Sequence, residues 1–246
     1  GIPSFRLPRD VIERELQQLR DAGVKFQTNK VIGKTFGIQQ LMERMGFDAV
    51  FIAAGAGAPL FLGLPGESAG QVLSANEFLT RVNLMQGLRE DYETPLPETE
   101  GKQVLVIGGG NTAMDAARTA HRLGGHVTIV YRRTRAEMPA RVEELEHALE
   151  EGISLRVLRS PSEFRGDPHT HFVRTAHLDV MELGEPDASG RRSPKPTGEH
   201  EKVPADLVIM ALGNDSNPII KNSEPGLRTS KWGTLELDHD GSQETS

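Results

Sequence analysis

Gly108-Gly109-Gly110-Asn111-Thr112-Ala113 is the stretch whose residue types and spacing point most directly to a chemistry. It fits the pattern Gly-x-Gly-x-x-Ala, in which each small residue has its own task. The first glycine permits a tight turn, the second lets a pyrophosphate come close to the backbone, and the alanine lets a helix lie close to a sheet. Ala116, Ala117 and Ala120 continue that small face at helical spacing from Ala113. The helix start would then offer free N–H groups and a positive dipole end to phosphate. Downstream lies Tyr131-Arg132-Arg133-Thr134-Arg135, where a dinucleotide site often carries an acid that accepts from the ribose 2′-hydroxyl. A guanidinium cannot accept, but its planar fork suits a phosphate dianion. Arg132 and Arg133 therefore point to the 2′-phosphate of NADP(H). The plainer alternative, pairing with the many glutamates of residues 143–151, stays open from sequence alone.

These residues need strands and helices to position them. Gln103–Ile107, Asn111–Leu123 and His126–Tyr131 read as strand, helix and strand, one βαβ unit around the glycines. A second helix is expected from Pro139, favourable at a first helical position, to Gly152, with Val142, Leu145 and Leu149 as its apolar side. Ile153–Leu158 reads as a further strand, and residues 163–203 as hairpins with turns at Gly166-Asp167, Glu185–Gly190 and Pro194–Gly198. Ala205–Gly213 is the last strong strand. Before the glycines, Pro8–Ala22 and Ile38–Met45 read as helices, and Val24–Thr28 and Asp48–Gly55 as strands. A loop rich in glycine and proline (57–66), a helical stretch near 76–88 and a linker at 91–100 follow.

Other candidates carry less. His169 and His171 beside Asp167 share a strand face but lack a further ligand, so no metal site is assigned. Glu77, Asp115 and Glu137 could each be acid–base groups, yet no pairing is readable. Arg191 and Arg192 fall in a turn-rich stretch and read as simply exposed. No nucleophile motif is present, and no catalytic side chain is assigned. The 246 residues, 37% of them hydrophobic and 26% charged, can bury a sizeable core. With no cysteine, the chain itself holds no disulfide, thiolate nucleophile or cysteine-bound iron–sulfur cluster. A net charge of -7 argues against nucleic acid, no apolar run suits a membrane span, and the cytoplasm is the expected compartment.

One echo bears on domain organisation. Asp48-Ala-Val-Phe-Ile-Ala-Ala-Gly55 and Asp206-Leu-Val-Ile-Met-Ala-Leu-Gly213 share an acid, four apolar residues, alanine, a variable residue and glycine. Two related nucleotide-binding units are expected, the second reached through the first. The phosphate loop of the first would lie before Gly1.

With these features in hand, the chain resembles the small (beta) subunit family of NADPH-dependent glutamate synthase and related FAD/NADP-dependent oxidoreductases. The resemblance runs through residues 1–8, Ser74–Leu79, Gly108–Asp115, Tyr131–Arg133, Glu137–Pro139, Met181–Pro186 and Ala211–Gly213, nearly the whole chain. It implies an α/β fold in which a Rossmann-like NAD(P)-binding domain is inserted in an FAD-binding domain of the two-dinucleotide-binding-domain flavoprotein type. By analogy the FAD-binding part and a linker cover 1–95, the NADP(H)-binding domain 96–218, and the return into the FAD-binding part 219–246. Gly55 would lie against FAD. Gly108, Gly110, Asn111, Thr112, Ala113, Arg132 and Arg133 would hold NADPH, with Ala211 and Gly213 near the nicotinamide end. Hydride would pass between NADP(H) and FAD, and electrons onward to a partner such as a glutamate synthase large subunit or a ferredoxin. Iron–sulfur clusters would belong to the partner or to regions outside these residues. The other reading of the same residues is a stand-alone NADP(H)-binding module without redox turnover.

Overall fold

The computed structural model describes residues 1–89, 91–188 and 190–238, which fall into two compact units. The first comprises Gly1–Arg9 and Pro59–Gly213, the second Asp10–Ala58 and the residues from Asn214 on. These divisions differ from the expected 95/96 and 218/219, because the residues from Pro59 to Gly213 group with the unit that carries the parallel sheet and the second unit resumes at Asn214.

That sheet has five strands, all parallel: β1 (Val72–Ser74), β2 (Gln103–Ile107), β3 (His126–Tyr131), β4 (Ser154–Val157) and, last in the chain, β8 (Leu207–Met210). The spatial order is β1-β8-β2-β3-β4. Three further strands, β5 (Arg159–Gly166), β6 (Val173–Pro186) and β7 (Arg192–Pro204), form an antiparallel sheet. The continuous apolar runs of β2 and β8 follow from burial on both faces. Successive side chains alternate across a strand. Val104, Val106, Leu207 and Ile209 meet one core cluster, while Leu105, Ile107, Val208 and Met210 meet the other.

The first cluster is completed by α3 (Ala75–Leu79), α4 (Asn111–Arg122) and α5 (Val142–Glu150), through Phe78, the alanines of α4, Leu145 and Ala148. The second is completed by Phe164, Val173, Ala176, Leu178 and Val203 of the antiparallel sheet. The parallel sheet therefore sits between a helical layer and an antiparallel layer. Ala113, Ala116, Ala117 and Ala120 are fully buried, as their small-residue stripe requires.

The second unit contains most of α1 (Arg9–Asp21), together with α2 (Ile38–Glu43) and α6 (Pro218–Ser223). Glu224 accepts from the Ile38 amide at 2.6 Å, and Asn217 caps α6 by accepting from Ile219 N at 3.0 Å. Among the described residues, no helix is long and apolar enough to cross a membrane.

Several expected elements take another form. Val24–Thr28 and Asp48–Gly55 are not strands, and Phe51 is 81% exposed. A strand exists by pairing, and neither run finds a sheet among the described residues of its unit. The helix expected from Pro139 starts instead at Val142, with Arg141 as its N-cap. Val142 is 67% exposed, so the apolar side of α5 rests on Leu145, Ala148 and Leu149. The turn expected at Pro194–Gly198 lies inside β7, where the pairing with β6 shifts register. Residues 76–88 give the short α3 followed by a π-helical turn over Thr80–Leu84.

Candidate functional site

In the first unit, a cavity of about 720 Å³ opens at the carboxyl ends of the parallel strands. Its lining comes from the segments after β2 (Gly108–Gly110, Thr112), after β3 (Tyr131–Arg133), after β4 (Arg159) and after β8 (Ala211–Gly213), with Leu60–Leu62, Glu137, Pro139 and Arg191. In the sheet order, β3 and β4 lie to one side of β2 and β8 to the other. Open α/β sheets bind ligands at such a change of direction.

The three glycines answer to different constraints. Gly108 has φ +142, and a Cβ there would stand 2.3 Å from the carbonyl oxygen of Ala211. A Cβ on Gly109 would meet the Tyr131 ring at 2.7 Å. Gly110, the N-cap of α4, has the extended values φ -92 and ψ 176. A Cβ there would meet only Pro139 Cγ, at 4.0 Å. Protein packing therefore requires glycine at 108 and 109, whereas at 110 the space a side chain would fill faces the cavity. No side chain caps α4, so its first amides remain available. A cradle of this kind fits a pyrophosphate.

A brace holds the opposite wall. Tyr131 Oη donates to Glu137 O at 2.8 Å, Ala140 N to Gly109 O at 3.0 Å, and Arg141 N to Asn111 Oδ1 at 2.9 Å. Glu137 caps its own turn, accepting from the amide of Thr134 at 3.1 Å and also from its hydroxyl. The Thr134 hydroxyl, more than burial opposes, holds the Glu137 carboxyl below the usual range, helped by the Thr134 amide, Arg192 and Arg133. The apolar wall is built differently. Glu67 accepts from the amides of Leu62, Gly63 and Leu64 at 2.8, 2.6 and 3.0 Å, and Leu60 N donates to Gly213 O at 3.1 Å.

Of the sequence-predicted residues, the structure brings Gly108, Gly110, Thr112, Arg132, Arg133, Ala211 and Gly213 onto this one cavity. Asn111 supports it through Arg141, and Ala113 is buried against the sheet. Gly55 belongs to the second unit, at φ +66, with no atom within 4 Å of a built Cβ.

Among the described residues, neither Arg132 nor Arg133 pairs with an acid. The glutamates of α5 and its end engage others: Glu144 and Glu151 hold Arg118 at 3.0 and 2.8 Å, and Glu146 holds Arg135. Arg133 is only 9% exposed, and its buried Nε has no hydrogen-bond partner. A buried guanidinium with an unmet donor fits an anionic ligand.

The acid–base candidates separate. Glu77 pairs with Arg81 at 2.5 Å. Asp115 is buried on α4 against Arg6 at 3.0 Å and does not line the cavity; burial raises its carboxyl above the usual range, with Arg6 opposing. Glu137 alone of the three lines the cavity. Asp167 Oδ1 accepts from the amides of His169 and Thr170, both at 2.9 Å, shaping a turn. No cluster of three or more His, Cys, Asp or Glu suited to a metal occurs among the described residues.

Sequence reading missed Arg191, Pro139 and Leu60–Leu62 as lining residues. Only a contact across the fold could have revealed Arg191; the glycine- and proline-rich stretch around Leu60 marked a loop without saying where it lies.

Comparison with known proteins places these features in context. The family model described as pyridine nucleotide-disulphide oxidoreductase matches residues 17–246. The glutamate synthase [NADPH] small chain of Azospirillum brasilense is 38% identical over 244 residues, covering 97% of this chain and 50% of the relative. The NADPH-Fe(3+) oxidoreductase subunit beta of Geobacter sulfurreducens is 38% identical over 237 residues, covering 96% of this chain and 34% of the relative. The chain thus spans half or less of the length of these two relatives. Among solved structures, Mycobacterium tuberculosis FprA in complex with NADPH superimposes with a TM-score of 0.75 at 23% identity, over 98% of this chain and 66% of the other. That likeness speaks for the fold, which is the two-dinucleotide-binding flavoprotein fold.

Proposed function

The chain belongs to the pyridine nucleotide-disulphide oxidoreductase family, and from that premise we propose that it is part of an NADPH-dependent, FAD-containing oxidoreductase of the glutamate synthase small-subunit type. One observation carries the reading: a glycine cradle at an uncapped helix start shares its cavity with Arg132 and the buried, unmet Arg133. The names of the relatives, which specify NADPH, support it.

In this reading the first unit takes the role expected of residues 96–218. Gly110 and Thr112, with the first amides of α4, hold the pyrophosphate. Gly108 makes the turn, Asn111 braces the wall, and Ala113 lets the helix approach the sheet. Arg132 and Arg133 hold the 2′-phosphate and exclude NAD(H) by offering no acceptor to a free 2′-hydroxyl. Ala211 and Gly213, beside Leu60–Leu62, form the apolar end suited to the nicotinamide ring. The second unit, with Gly55 open to backbone approach, forms part of the FAD-binding domain. NADP(H) and FAD supply the hydride chemistry between them, so the side chains bind, orient and exclude water, and none serves as acid or base. Electrons then pass to a partner subunit or a ferredoxin in the cytoplasm.

The test is a visible spectrum of the purified chain with FAD supplied, recorded without oxygen before and after NADPH. A protein-bound flavin band that bleaches supports hydride transfer. NADPH binding without a retained flavin favours a nucleotide-binding module instead.

A further inference from the structure

The hairpin of β6 and β7 extends beyond the core that it covers. Val173, Ala176 and Leu178 are buried at its base, but from Asp179 to Pro186 no residue is, and on β7 only Val203 is. Its pairing shifts register between Asp179 and Met181 and again between Leu183 and Pro186. Irregularities of this kind bend a strand and re-aim its end. At the turn, Asp187 N donates to Arg191 O at 2.9 Å, and Arg191 N donates to Asp187 Oδ1 at 3.0 Å, so the backbone of Arg191 is held.

The consequence is that Arg191 lines the same cavity as Gly110, Arg132 and Arg133. Its neighbour Arg192 is used otherwise, donating to the carbonyls of Gly184 and Leu183 at 3.1 and 3.4 Å. Arg159, the other lining arginine, donates to Glu201 at 2.8 Å. Among the described residues, no carboxylate pairs with the Arg191 guanidinium. Arg192 and Arg133 both help to hold the Glu137 carboxyl, another lining group, below its usual range.

We propose that Arg191 is a specificity-determining residue of the nucleotide site, brought by the hairpin to the phosphorylated ribose to share its 2′-phosphate with Arg132 and Arg133. This rests on the reading of the cavity as an NADP(H) site. A phosphate dianion carries three strong acceptor oxygens, more than one guanidinium fork satisfies. Arginines on separate arms can share those oxygens, Arg191 from the hairpin and Arg132 and Arg133 from the end of β3.

The experiment is calorimetric titration of the 246-residue chain and its Arg191→Ala and Arg191→Lys variants with 2′,5′-ADP and with 5′-AMP, each variant checked for an unchanged melting curve. Arg191→Ala should weaken 2′,5′-ADP by about tenfold, in line with loss of one charge-assisted contact, and leave 5′-AMP within about twofold. Arg191→Lys should fall between, since an ammonium keeps the charge without the fork. An unchanged affinity for 2′,5′-ADP, or equal weakening of both ligands, overturns the inference while leaving the NADP(H) reading in place. If the unaltered chain binds the two ligands equally, the NADP(H) reading itself falls, and the inference with it.

Discussion

Substituting two glycines of the same turn, Gly108 and Gly110, should damage this protein in two different ways. Gly108→Ala places a Cβ 2.3 Å from Ala211 O, where ordinary contacts begin at 3.4 Å, in a backbone of φ +142. The Ala211 backbone cannot yield freely, because its amide donates to Ile107 O at 2.8 Å. Backbone strain and overpacking each cost about 1–3 kcal/mol, so about 2–6 kcal/mol together. In a domain of this size, that lowers the melting temperature by roughly 4–24 °C. Gly110→Val differs: φ -92 and ψ 176 suit any residue, and even a built Cβ has only Pro139 nearby. Its folding cost should stay near the ~1 kcal/mol of a poorer N-cap. Its side chain, however, occupies the space assigned to the pyrophosphate. Losing two charge-assisted contacts at about 1.5–3 kcal/mol each weakens binding by more than about 100-fold. Differential scanning calorimetry and titration with NADPH and NADH measure both quantities on the same samples. Gly110→Val with unchanged affinity would refute the cradle, and Gly108→Ala with unchanged stability would refute the packing argument.

Other perturbations follow from the same geometry. Arg132→Ala with Arg133→Ala should weaken NADP(H) by at least about 100-fold while leaving NAD(H) nearly unchanged, again by titration; equal loss of both would sink the 2′-phosphate assignment. Arg118→Ala removes a side chain bonded to Glu144 and Glu151 and stacked on Phe5 at 4.4 Å, and should cost about 3 kcal/mol in urea unfolding. Burial pushes the Glu151 carboxyl up, but Arg118 and Arg122 outweigh it and hold the group below the usual glutamate range. Its share of stability is therefore present above the unfolded glutamate pKa and is lost as pH falls through the depressed folded value. Glu151→Gln should flatten the acid limb of stability plotted between about pH 3 and 6, and an unaltered slope would count against the pairing. Tyr131→Phe, losing one hydrogen bond to Glu137 O, should cost about 1 kcal/mol.

What sequence could reveal depended on whether an element's reason lay within its own residues. Strand β2, helix α4 and strand β3 emerge within a residue of expectation, because glycine turn, alanine stripe and apolar run each act locally. Asp48–Gly55 matches Asp206–Gly213 in pattern, yet only the latter forms a strand at its core, Leu207–Met210, since β1 and β2 flank it. The pattern specifies compatibility with a sheet, and pairing decides the outcome. Pro139 illustrates the opposite error: a residue that suits a helix start serves as cavity wall, because Ala140 N and Arg141 N are drawn to Gly109 O and Asn111 Oδ1.

The charge pattern makes the same point about the site. The chain carries a net charge of -7, which would repel an anionic dinucleotide at long range. The cavity nonetheless gathers Arg132, Arg133, Arg159 and Arg191 against the single carboxylate of Glu137. At physiological salt, fields between exposed charges fade over about 8 Å, so a bound ligand answers to the lining and hardly to the total. Composition weighs on whether a polyanion could lie along a surface, and does not speak to a small anion in a pocket. The Arg132–Arg133 pair, Arg159 and Arg191 lie far apart in the chain, and the arrangement of β3, β4 and the β6–β7 hairpin is what turns them into one site.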